Sequence, residues 1–155
     1  MADLLENEIF LILLQFVTLF GSGIVAGFTF YITKIELPSR VNESSHYQLT
    51  NYQHVFPLAA SFMKPCGVVL TIVNGLTLYT TGNVFWAIPL IMIGGLGPFT
   101  AKFIQPTNKI LMSTDENNSQ KVRKELSDWT RLHNVRTYMS LLGFAGACIA
   151  ALRQS

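Results

Sequence analysis

His133 and Arg136 stand on a stretch where Val122, Leu126, Trp129, His133 and Arg136 recur at spacings of four, three, four and three. A helix puts all five on one face. An imidazole can accept a proton near neutral pH, and a guanidinium can hold the charge of an enolate-like oxyanion. With Trp129 beside them and Asn108 at the end of the preceding apolar run, they form a candidate site for proton abstraction. The same spacing also fits a structural role, in which these side chains cap helix ends and bind one another across a bundle.

A second constellation is a collar of cations. Lys34, Lys64, Lys102 and Arg136 each stand near one end of an apolar run. They could receive an anionic phospholipid headgroup or an acidic small molecule, as basic pockets between helices do. Cations also gather at such boundaries simply because their stems reach past the apolar layer to water. No metal site is expected. His46, His54 and His133 are scattered, and Cys66 and Cys148 lie in apolar sequence without ligand spacing, whereas a metal needs three or four converging ligands. No cofactor motif is present either: there is no phosphate-cradling glycine loop, paired carboxylates or Ser–His–Asp order.

The elements that position these residues follow from hydropathy. Of 155 residues, half are apolar and 13% charged, about half the charge of an ordinary soluble domain. Residues 9–33 carry no charge, and a membrane crossing needs about 20 such residues. The acidic segment before them (Asp3, Glu6, Glu8) is unlike a secretory signal, so this run is read as a retained span. The uncharged stretch between Lys64 and Lys102 is too long for one helix and is punctuated by Thr80-Thr81-Gly82-Asn83, a turn cluster. A single domain over 1–155 with spans at about 9–33, 57–80, 84–105 and 135–152 is therefore expected. Barrels would alternate in polarity and these runs do not, so the class is all-α, an integral membrane four-helix bundle.

Helices 2 and 4 are expected to extend beyond the membrane on the cytosolic side. The polar stretch 44–52 leads into span two. The periodic face from Val122 leads into span four, with a cap at Asn118 or Ser119. Pro89, Gly94, Gly95, Gly97 and Pro98 interrupt span three, which suits either a cavity or close packing. The pairs Gly23/Gly27 and Gly143/Ala147 suggest close helix contacts. Tyr79, Phe85 and Trp86 suggest an interfacial aromatic belt.

Nine of the eleven Lys and Arg residues fall on loops one and three or their flanks. The positive-inside rule puts those loops in the cytosol and both termini in the lumen or outside. The sequons at Asn42 and Asn117 disagree, and the charge bias is preferred. Endoplasmic reticulum and plasma membrane are both compatible, and the bilayer is the first partner. Nucleic acid is not a partner, because the basic residues flank spans instead of forming a stripe.

Pro106-Thr107-Asn108, followed by Trp129, Leu132-His133 and Arg136 leading into the last span, resembles the anthrone oxygenase-like family of small four-helix membrane proteins. Glu36-Leu37-Pro38-Ser39-Arg40 is similar to that family's His-Pro-Ala-Arg-type segment with the His and Ala replaced, and the glycines at 21, 23 and 27 also fit. The resemblance implies a cofactor-free monooxygenase acting on an aromatic polyketide-like substrate, with Asn108, Trp129, His133 and Arg136 as its polar signature. The residues alone favour another role: a non-enzymatic membrane protein, a lipid-binding or accessory subunit docked on a larger membrane partner. A small transporter ranks third, since acids inside the spans are absent.

Overall fold

The computed structural model describes residues 2–115 and 119–153, and its regular elements are helices. α1 runs as a helix over Ala2–Tyr31, then through a π-helical turn at Ile32–Glu36 into Leu37–Ser39. α2 is one helix over Ser45–Thr81. α3 spans 84–113 in pieces: a 3₁₀ turn at Val84–Trp86, helices Ala87–Gly94 and Leu96–Phe99, a π turn at Thr100–Ile104 and the helix Gln105–Ser113. α4 is Ser119–Leu152. Among the described residues, four helices (Glu6–Ser39, Ser45–Thr81, Val84–Ser113 and Ser119–Leu152) are long and apolar enough to cross a membrane.

Local chemistry sets the ends. The Ser44 side chain accepts a hydrogen bond from the Tyr47 amide at 3.2 Å and starts α2. Gly82 ends it at φ 63°, its amide bonded to the Leu78 carbonyl at 3.0 Å, a left-handed position that suits glycine. Asn83 then accepts from the Phe85 amide at 3.0 Å and opens α3. The expected turn at 80–83 is therefore present. The sequon at Asn117 and the cap position Asn118 lie outside the described residues.

Two prolines, Pro57 and Pro65, sit inside α2 without ending it. The third rod runs on past residue 105. Pro106 occupies the first turn of Gln105–Ser113, where its missing N–H costs no helical bond. The break at Gly95 and the π turn after it are the irregularities that the glycines and prolines of span three suggested.

Polar pairs and small residues join the rods. Thr18 meets Thr77 at 3.0 Å between α1 and α2, while Thr29 meets Ser140 at 2.6 Å and Thr33 meets Thr137 at 2.8 Å between α1 and α4. Such bonds are worth about 0.6 kcal/mol each in a membrane, so packing must carry the assembly. Gly143 faces Ile93, and Gly146 faces Ile88 so closely that a Cβ there would lie 2.3 Å from Ile88 Cγ2. Gly23 packs on Phe144, but Gly27 has open space where its side chain would be. The expected Gly23/Gly27 contact face is thus half correct: Gly23 meets a neighbouring rod, whereas Gly27 is exposed. We expect Gly146→Leu to abolish a monodisperse bundle, scored by size-exclusion chromatography, since the two branched residues cannot share one site.

Large apolar side chains are exposed on every rod: Phe16 and Phe20, Leu58 and Val68, Ile91 and Phe103, Tyr138 and Leu142. A water-soluble monomer rarely exposes apolar surface on that scale, whereas in lipid it carries no penalty. Trp86 departs from the expected belt. It is fully buried against Ala147 and Ala150, because the 3₁₀ turn swings it inward, while Tyr79 remains exposed.

Candidate active site

The cluster begins with Asn108 on the last segment of α3. Its Oδ1 accepts one hydrogen bond from Tyr52 Oη at 2.8 Å and a second from Trp129 Nε1 at 2.9 Å. Three rods are pinned to one oxygen. Both acceptor positions are then used, which fixes the amide's orientation and leaves its Nδ2 donors for a ligand. Tyr52 meets Trp129 edge-on at 5.5 Å between ring centroids, and Trp129 stacks on His133 at 4.7 Å. All four side chains are buried.

His133 reaches across to α1, its Nε2 lying 3.4 Å from the Thr29 carbonyl, which also accepts from Thr137 Oγ1 at 3.2 Å. The π turn at Ile32–Glu36 follows directly, and such turns loosen the carbonyl ladder of a helix, often at functional sites. With Nε2–H donating to Thr29, Nδ1 keeps a lone pair. That nitrogen is buried and has no hydrogen-bond partner.

Arg136 completes the group one turn further along α4. Its Nε is buried without a hydrogen-bond partner. Among the described residues the ion pair within reach is Glu36–Arg40, which ties the end of α1 to itself, so no carboxylate pairs with Arg136. An unpaired guanidinium in apolar surroundings is costly, several kcal/mol even after relaxation. An anionic or oxyanion-forming group beside it would offset that cost.

These residues line a cavity of about 840 Å³ to which all four rods contribute. Of the sequence-derived candidates, Asn108, Trp129, His133, Arg136 and Lys64 line it; Lys34 and Lys102 do not. Lys34 and Lys102 are exposed, and Lys102 lies over the Phe103 ring at 5.3 Å. The four cations therefore split into one inside, one on the rim and two outside. Among the described residues, no group of three His, Cys, Asp or Glu side chains converges as a metal would need.

Sequence reasoning missed Tyr52, Thr29 and Gln105, and noted Glu36 and Arg40 only as the ends of the segment after span one, not as residues at the cavity. Tyr52 carried a signal: Leu49, Tyr52 and Phe56 share the α2 face that points inward. Thr29 acts through its main-chain oxygen, which no side-chain pattern reports. We expect Asn108→Leu to cost roughly 1–3 kcal/mol, because it strands the Tyr52 and Trp129 donors. Denaturant unfolding in detergent checks this, and an unchanged midpoint would show that those two bonds do not matter.

A family model described as anthrone oxygenase matches residues 52–146. No curated protein and no solved structure matches the chain.

Proposed function

The chain belongs to the anthrone oxygenase family, and on that premise we propose that it is a membrane-embedded, cofactor-free monooxygenase of anthrone-like aromatic substrates. The observation that supports this most is Arg136, a cation without a carboxylate partner among the described residues, at the polar end of an apolar cavity. His133 Nδ1 removes a proton from the ring CH₂ opposite the substrate's carbonyl. The electron pair moves onto that carbonyl oxygen, where Arg136 holds the developing charge. Asn108 Nδ2 orients a neighbouring ring oxygen.

Dioxygen then bonds to the carbanionic carbon, and the peroxide takes the proton back from His133. Loss of the second hydrogen with cleavage of the O–O bond leaves a new carbonyl and releases water. The balance is CH₂ plus O₂ giving C=O plus H₂O. The apolar walls favour a polycyclic ligand and keep water from the peroxide.

In this reading the basic loops face the cytosol, the polar end of the cavity lies at that boundary, and α2 and α4 protrude into it. The host membrane is the endoplasmic reticulum or the plasma membrane. A lipid-binding or accessory subunit is the competing reading. Exposed Lys34, Lys64 and Lys102 would supply its contacts to anionic phospholipid.

The test is purified protein in proteoliposomes supplied with anthrone. Anthraquinone should form with one O₂ consumed and one ¹⁸O atom incorporated per product. Turnover no faster than in empty liposomes, together with one stoichiometric large partner after native purification, would favour the accessory role instead.

A further inference from the structure

The cavity is longer than a three-ring head requires. It follows α2 from Tyr52 to Ile72, about 30 Å at 1.5 Å per residue. Its polar groups gather at the Tyr52 end. Toward Ile72 the wall is apolar, formed by Val68, Ile72, Ile93 and Leu96, and the Thr71 hydroxyl there is already bonded to the Gly67 carbonyl at 2.7 Å.

The same stretch is open at the side. Val68 and Ile72 on α2 and Gly97, Pro98 and Ala101 on α3 line the cavity yet are exposed on the bundle's flank. Gly67 and Gly97 stand at this opening, and a Cβ on either would meet nothing within 4 Å. The break at Gly95 and the following π turn interrupt the regular helix of α3 at this level. Lys64 lies one turn above Gly67 on the same wall and is exposed.

We infer that the natural ligand is a phenolic amphiphile, an acidic aromatic head with a long apolar tail, which slides in from the bilayer between α2 and α3. The head travels past Lys64 to Arg136, and the tail lies along Gly67, Val68 and Ile72 with its end among lipid chains. Charge places the head, since Arg136 has no acidic partner among the described residues, and the uniform apolar wall accounts for the tail. This rests on the proposed oxygenase reading for the chemistry of the head, but not for the tail or the route.

Binding in phosphatidylcholine nanodiscs tests it, read as ligand-dependent thermal stabilisation at equal ligand mole fraction in the bilayer. The probes are 5-pentylresorcinol, 5-pentadecylresorcinol and the dimethyl ether of the latter. Wild-type protein should bind the long-tailed phenol at least tenfold more tightly than the short one, and the ether at least tenfold more weakly. Gly67→Leu with Gly97→Leu should remove the advantage of the long tail, and the paired alanine variant should remove part of it. Equal binding of short and long phenols would overturn the inference, as would equal binding of phenol and ether, which would mean an ordinary lipid tail fills the groove. Long-phenol binding without anthrone oxidation would sink the oxygenase reading alone; oxidation without tail dependence would sink this one alone.

Discussion

Replacing Arg136 with methionine should lower kcat/KM for anthrone oxidation by about 10²–10³-fold, the usual effect of deleting one oxyanion donor, while leaving the bundle at least as stable as before. The two halves of this expectation come from one fact. Arg136 has no carboxylate partner among the described residues and its Nε is buried without a hydrogen bond, and exchanging a buried charge for an apolar chain of similar volume is often neutral or stabilising. If Arg136 held the helices together, methionine would lower the unfolding temperature. If it serves the reaction, activity falls and the temperature holds or rises. Arg136→Lys keeps the charge but loses the planar fork, so it should recover part of the rate. Steady-state kinetics in proteoliposomes, paired with thermal unfolding of the same samples, decide the matter. A stable variant with undiminished turnover would remove Arg136 from the chemistry.

His133→Gln should cost about 10²–10⁴-fold, the range for a lost general base, with little change in KM. Glutamine keeps most of the side-chain volume beside Trp129 and can still donate to the Thr29 carbonyl, but it offers no basic nitrogen. Proton removal then becomes slower relative to the other steps. Deuterium at the reacting CH₂ should therefore slow the variant more than the wild type. In His133→Ala, added imidazole should restore part of the rate by entering the vacated space. A variant that keeps its rate, or an isotope effect that does not grow, would rule out His133 as the base.

Much of this protein was legible along the chain because a membrane simplifies the code. In hydrocarbon every backbone N–H and C=O must be satisfied internally, so a long uncharged run has one outcome. The runs near residues 9–33, 57–80, 84–105 and 135–152 therefore declared four helices, and Thr80–Asn83 declared the hairpin between the middle two. The face from Val122 to Arg136 was likewise legible. Helical spacing alone sets which side chains share a face, and Trp129, His133 and Arg136 do line one cavity.

What those residues touch was decided only by the fold. Asn108, Tyr52 and Trp129 are separated by 56 and 21 positions in sequence, and no local pattern announces that one amide oxygen will serve both donors. The same holds for the Thr29 carbonyl beside His133, which is a property of backbone that every residue has. The π turns at Ile32–Glu36 and Thr100–Ile104 insert one residue into a helical ladder; the glycines and prolines of span three suggested an irregularity there, but composition does not encode the change of register. The cation collar shows the limit most directly. Hydropathy placed Lys34, Lys64, Lys102 and Arg136 near one boundary, but the rotation of each helix in the packed bundle puts Arg136 on the cavity and leaves Lys34 and Lys102 outside it.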